Sequence, residues 1–245
     1  MCLIFCAYQK HPKYKFILAA NRDEFYDRPT EAAHDWGNGV YAGKDLKAGG
    51  TWMAASAGGN LAAVTNYRDL HHQQQGKKSR GDLPLQIIQS NLDVEWDLQH
   101  IQSQHNDYNG FNLIAFKNDR LFYYSNISDQ VQQLRAGIYG LSNHLLDTSW
   151  PKVEWGKKQF STLISSDEID PDQLFYLLSD GAIANDDQLP STGVPLKWER
   201  LLSAIFISAE NYGTRCSTVV LIDTENNVQF YERSFVPEND VKLSF

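Results

Sequence analysis

Cysteine is scarce in this chain: the 245 residues hold three, at positions 2, 6 and 216. Three irregularly spaced thiols exclude a disulfide framework and fit a reducing compartment. Long apolar runs are missing as well. The longest stop well short of the ~20 residues that a membrane-spanning helix needs, and the first residues lack the charged start, apolar stretch and cleavage site of a secretory signal. The expected location is therefore cytoplasmic, with no integral membrane segment. Basic charge is in deficit, with 22 Lys and Arg against 30 Asp and Glu and a net charge of −8, which argues against non-specific binding to nucleic acid or to anionic membranes. The glycine pairs at 49–50 and 58–59 lack the GxxxxGK(S/T) pattern and open no helix after a strand, so they are not phosphate loops. Metal-ligand spacing is absent too. His71-His72 sits in a polar, Lys-rich loop without a second ligand cluster, and His34, His105 and His144 stand singly; any of these could ligate haem iron, though an isolated histidine near a turn reads more simply as structural. No linker divides the sequence, and 42% hydrophobic residues are enough for a single domain spanning 1–245 around a large core.

What is present begins at Met1-Cys2. Removal of the initiator methionine would leave a thiol and a free α-amine on one residue, and the amine, with an ordinary pKa of ~7.7–8.0, can serve as base for a thiol of ~8.5. Residues 2–8 and 14–20 read as two strands joined by a five-residue connection containing Pro12, which suits a hairpin. If Tyr8 faces Tyr14, paired numbers sum to 22 and Cys2 lies opposite Ala20. Arg22 and Asp23 then emerge beside the N-terminus, and a slip of two residues would move them by only ~7 Å. An arginine there favours the thiolate, and Asp23 or Glu24 can hold the arginine or the ammonium. Cys6 shares the strand face of Cys2 and reads as core.

Further elements follow from period and punctuation. Residues 52–56 and 61–65 flank a turn at Ala57-Gly-Gly-Asn60. Asp82 is expected to cap a helix with Pro84 in its first turn, and residues 94–102 carry helical spacing. Residues 112–116 and 121–125 pair across Lys117-Asn-Asp-Arg120, and 138–142 form a strand. Pro151 and Asp170-Pro171 open helices, and 198–206 is expected to be helical. Cys216 is expected to begin a strand after a turn at Gly213-Thr-Arg215, and residues 219–223 and 228–232 to close the chain as a hairpin. The asparagines near strand ends, Asn66 and Asn143, are neutral donors of the kind an oxyanion needs.

The segments Met1-Cys-Leu-Ile-Phe5, Asn21-Arg-Asp-Glu-Phe25, Ala48-Gly-Gly-Thr-Trp52, Thr65-Asn-Tyr-Arg68, Ser79-Arg-Gly81, Gly110-Phe-Asn-Leu113, Leu141-Ser-Asn143, Trp150-Pro-Lys152 and Tyr212-Gly-Thr-Arg215 resemble the NRDE, or transport-and-Golgi-organisation, family along nearly the whole chain. The resemblance implies an α+β fold, a four-layer αββα sandwich of antiparallel sheets like that of the N-terminal-nucleophile hydrolases and related to the bile-salt hydrolase and penicillin V acylase group. By position, Cys2, Arg22, Asp23, Asn143 and Arg215 look like the catalytic counterparts of that group, with Asn21, Glu24, Asn66 and Arg68 as candidates for binding substrate. That group spaces its arginine and aspartate three apart, whereas Arg22 and Asp23 are adjacent, which leaves Glu24 or Asn21 open to one of those roles. The expected function is hydrolysis of an amide or thioester through an acyl-enzyme on Cys2, acting on a small-molecule acyl ligand, with no cofactor and no metal. The alternative is a non-catalytic carrier or chaperone for a haem-like or acyl-lipid ligand, linked to secretory-pathway and Golgi organisation. The sequence carries no signal for an oligomeric state.

Overall fold

The computed structural model describes residues 2–69 and 73–245. Alternating apolar residues build the first sheet from β1 (Cys2–Tyr8), β2 (Tyr14–Phe25), β10 (Gly137–Leu141), β11 (Tyr212–Asp223), β12 (Val228–Phe235) and β13 (Glu238–Ser244), in the order β10-β1-β2-β11-β12-β13. The second sheet runs in sequence order through β3 (Thr30–Asp35), β4 (Val40–Asp45), β5 (Met53–Ser56), β6 (Asn60–Asn66), β7 (Phe111–Lys117), β8 (Arg120–Ser125) and β9 (Gln130–Leu134). All pairings between strands are antiparallel.

Period-2 alternation assigns each strand a face to the other sheet and a face to helices. Ile4, Cys6, Phe16 and Leu18 meet Met53, Leu61, Ile114 and Phe116 in the core between the sheets. Leu3, Phe5, Ile17 and Ala19, one residue out of phase, pack against α3 (Pro151–Leu163) and α4 (Pro171–Leu178). The outer face of the second sheet is covered by α1 (Asp82–Gln89) and α2 (Val94–Ser103) through Leu83, Ile87, Val94, Leu98 and Ile101. The result is the expected αββα sandwich, with the short α5 (Leu196–Leu202) beside the start of β11.

Local chemistry explains the helix starts. Asp93 accepts a hydrogen bond from Glu95 N and Asp170 from Asp172 N, each ahead of its helix, and Pro171 and Pro151 occupy first-turn positions where a missing N–H costs nothing. Asp82 is not a cap. It is the first helical residue, and Gly81 precedes it without a side-chain cap.

Four further expectations are corrected. The first hairpin pairs Tyr8 with Phe16 and Cys2 with Arg22, so its numbers sum to 24 rather than 22; β2 begins at Tyr14, two residues before its pairing with Tyr8, and His11 Nδ1 accepts from Lys13 N and Tyr14 N in the connection. The helix expected at 198–206 runs from Leu196 to Leu202, after which Phe206 N donates to Asp180 O and the chain turns into β11. Gly213-Thr-Arg215 is strand rather than turn, and β13 follows the hairpin thought to end the chain.

Gly156 shows how tightly α3 seats on β1. A Cβ there would lie 2.2 Å from Phe5 Cζ and 3.0 Å from Ile205 Cδ1, and Phe5 is fully buried and stacked on Phe160. Gly156→Ala gains helix propensity but overpacks this contact, so we expect a net loss of ~2 kcal/mol and a melting temperature lower by ~4–8 °C. An unchanged thermal melt would refute the contact.

Candidate active site

The inner face of β2 reads Phe16, Leu18, Ala20, Arg22, Glu24, apolar until Arg22. That change marks where the core ends and a cleft begins. At this level Cys2 in β1 and Cys216 in β11 lie on either side of Arg22 in register, and Ser234 in β12 continues the row. All four line a cavity of about 570 Å³ at the end of the sandwich. The opposite wall comes from Gly43 and Asp45 of β4, Thr51 and Trp52 before β5, Asn66 at the end of β6, and Ser79, Arg80 and Gly81. Gly50 makes that wall possible: a Cβ on it would lie 2.6 Å from the backbone of Gly81, and Thr51 N donates to Gly81 O, which seats Arg80 on the cleft. Arg28, Lys44, Lys77, Lys78, Arg80 and Arg215 join Arg22 along the walls and outnumber Asp23, Glu24, Glu31, Asp45 and Glu232. The balance is the reverse of that of the whole chain.

Cys2 is buried but borders the cleft, and Ser142 Oγ donates to its carbonyl oxygen. Burial pushes its thiol up and the nearby Asp23 adds to this; Arg22 acts in the opposite sense without prevailing. Arg22 thus favours the thiolate as expected, but removing a charge from water outweighs one neighbouring guanidinium. Among the described residues the Arg22 guanidinium makes no hydrogen bond, and its ion-pair contact is Asp45 at 4.0 Å. Asp45 is engaged more closely by Arg28 at 2.6 Å. Arg22 therefore keeps donors for a ligand.

Asp23 accepts from Thr214 Oγ1 at 2.8 Å and is buried at the cleft wall. Burial raises its carboxyl, opposed by Lys152, Thr214 and Arg22 among others. Glu24 is half-buried on the rim and accepts from Phe25 N. Asn66 lines the cleft, and its backbone carbonyl accepts from Asn143 Nδ2 at 2.9 Å.

Four other expected residues hold the frame. Asn143 is fully buried behind Asn66, its amide engaged by that bond and its carbonyl by Arg68 N. Asn21 points to the helix side, where its Nδ2 donates to Leu178 O and Ile205 O while Ser217 Oγ donates to its Oδ1; an odd position on β2 faces away from Cys2. Arg68 is buried against Glu199 at 3.1 Å and over the Trp150 ring at 4.7 Å, off the cleft wall. Arg215 borders the cleft, but Nη1 donates to Phe25 O, Tyr26 O and Arg28 O, Nε and Nη2 to Val236 O, and Nη2 to Thr30 Oγ1. Its guanidinium is saturated by backbone and is unavailable to a ligand.

Residues that the sequence did not single out complete the site. Arg80 has electrostatic reach to Cys2 and Glu24. Glu232 is a buried acid between the sheets: its Oε1 accepts from Ala33 N, and burial pushes its pKa up. Lys152 lies behind Asp23. The first and last were visible only inside the short family segments at 79–81 and 150–152. Cys6 is sealed in the core between the sheets. His34, His105 and His144 each bond a nearby oxygen through Nδ1, and His71-His72 lies outside the described residues. No helix among the described residues is long and apolar enough to cross a membrane.

Two facing antiparallel sheets between helical layers, with a cleft where the first strand begins at a cysteine, define an architecture like that of the N-terminal-nucleophile hydrolases. Among solved structures it is shared by the C2A mutant of the conjugated bile acid hydrolase from Clostridium perfringens, with a TM-score of 0.52 and 9% identity over all of this chain and 92% of that one. A sequence profile of the family described as Transport and Golgi organisation 2 matches residues 1–237. The Transport and Golgi organization protein 2 homolog of Bos taurus is 38% identical, covering 96% of this chain and 94% of its own length. The Homo sapiens homolog is 36% identical over 98% and 95%, and the Drosophila melanogaster protein 31% over 96% and 92%. The chain belongs to the Transport and Golgi organisation 2 family.

Proposed function

We propose that this protein is an N-terminal cysteine hydrolase that cleaves an amide or thioester in a small molecule carrying an anionic group. The observation that carries this reading is the register of Cys2 against Arg22 at the mouth of a basic cleft. With Met1 removed, the α-amine takes the Sγ proton, directly or through a water, and sulfur attacks the substrate carbonyl. In this reading the oxyanion donor is Asn66, which lines the cleft, rather than Asn143, whose amide is engaged by the Asn66 backbone carbonyl. Collapse breaks the C–N or C–S bond, the leaving group departs with the proton, and water hydrolyses the thioester left on Cys2. Arg22, with donors to spare, binds the anionic group. Because burial keeps the thiol protonated, a base is required, and the freed amine supplies it.

Intact-mass measurement and a screen of amides and thioesters test this together. Loss of Met1, single labelling at Cys2 by iodoacetamide, and a transient acyl adduct on residue 2 are expected. Retention of Met1, or turnover that survives labelling, would overturn it. A carrier using the same cleft for haem or an acyl chain would instead retain its ligand after labelling and turn nothing over.

A further inference from the structure

Two lysines of the chain are buried, and they are treated differently. Lys117 Nζ donates to Ile87 O, Ser90 O and Asp97 Oδ2. Lys152 is 4% exposed, and its Nζ has no hydrogen-bond acceptor among the described residues. Burying an ammonium without acceptors is costly, and space-filling alone would be met better by an apolar side chain. Its place in the fold suggests what offsets the cost. Lys152 stands in the first turn of α3, between Trp150 and Val153, which pack with Leu3 and Phe5 on the outer face of β1. That turn lies directly behind the strand that begins at Cys2. The charges it feels there are Asp23 and Cys2, which favour its ammonium, and Arg68, which opposes it.

Asp23 is the natural partner. Arg22 on its own strand, Cys2 on β1, Thr214 and Tyr212 on β11, Arg68 after β6 and Lys152 on α3 all act on it electrostatically or by hydrogen bond. Arg68 is committed to Glu199 and Arg22 projects into the cleft, so Lys152 is the cation that approaches Asp23 from the protein side. We propose that Lys152 is a positioning residue for the nucleophilic centre: from behind the wall it holds Asp23 as a carboxylate, which anchors the α-amino group that Cys2 carries once Met1 is gone. The inference rests on the hydrolase reading for its purpose, not for its electrostatics. It accords with the two shifts, burial lowering Lys152 to about 8 and raising Asp23, each opposed by the other.

The test uses the processed full-length protein and the variants Lys152→Met and Lys152→Arg. The rate of Cys2 alkylation by iodoacetamide is followed from pH 5 to 10, and the Asp23 carboxyl is titrated by carbon-13 NMR with Asp23→Asn for assignment. In Lys152→Met the carboxyl midpoint is expected to rise by about a unit, which is tenfold in protonation ratio, and alkylation at pH 6 to slow about tenfold while meeting the native rate above pH 9. Lys152→Arg is expected to restore both. An Asp23 midpoint unchanged in Lys152→Met, or an arginine variant as perturbed as the methionine one, overturns the inference. If Lys152→Met does not fold, the Lys152→Arg and native titrations must still agree, and a divergence of a unit between them overturns it equally. Should no substrate be found, the hydrolase reading fails while the carboxyl titration still decides the role of Lys152.

Discussion

Cys2→Ala is expected to lower turnover of a susceptible amide or thioester by about 10³-fold or more, because the covalent route is lost and only binding and oxyanion donors remain. Ligand affinity should change little, since the alanine leaves Arg22, Arg80 and Asn66 on the cleft walls. The measurement is kcat and KM separately, with intact mass to follow the acyl adduct. A Cys2→Ala protein that retains both turnover and burst would refute nucleophilic chemistry at this position. The pH dependence has a definite sign. Burial raises the Cys2 thiol and Asp23 adds to this, so in protein that keeps Met1 the alkylation rate should still be climbing above the ordinary thiol range near ~8.5. Processing supplies an adjacent amine and should make the residue reactive at lower pH. Arg22→Gln should slow alkylation further, because it removes the guanidinium that opposes burial.

Arg215→Met is expected to lower the stability of the protein by ~3–5 kcal/mol, or ~10 °C in melting temperature. The side chain is 4% exposed, and its guanidinium closes two segments against each other, residues 25–30 on one side and Val236 on the other. Without it, the carbonyl oxygens of Phe25, Tyr26, Arg28 and Val236 each lose a donor in a partly dry setting, and Phe25 O keeps only Arg28 N among the bonds of the turn. Arg215→Lys should recover little, since one ammonium cannot present a planar fork to both sides. Thermal melts decide the matter, and a variant of native melting temperature that has lost turnover would move Arg215 into the chemistry. The same segments form the rim of the cleft, so a partly folded variant should also show weakened ligand binding.

Sequence pattern and structure agree where a strand has two buried neighbours. Residues 2–8, 14–20, 112–116 and 217–222 read as strands because both their faces are covered and their apolar residues run without interruption. The strands that escaped notice, β3 (TEAAHD), β4 (VYAGKD), β9 (QVQQL) and β13 (ENDVKLS), lie at or next to a sheet edge. There one face meets water, polar residues are free to occur, and the alternation fades. The two-residue error in the first hairpin did not displace the site, because an even slip keeps every side chain on its face.

The sequence by itself determined the company Cys2 keeps. A side-chain period of two puts Cys2, Cys6, Leu18 and Arg22 on one surface and sends Asn21 to the other, whatever the rest of the chain does, and the short family segments determined the architecture. Only the tertiary structure decided which polar groups remain available for chemistry. Arg22, Arg68 and Arg215 look equivalent as letters, yet Arg68 is held by Glu199 and Arg215 by four backbone carbonyls, while Arg22 faces the cleft with its donors unused. Asn66 lines the cleft while Asn143 is buried behind it, for the same reason. Hydrogen-bond partners and desolvation come from residues distant in the chain, and no local pattern encodes them.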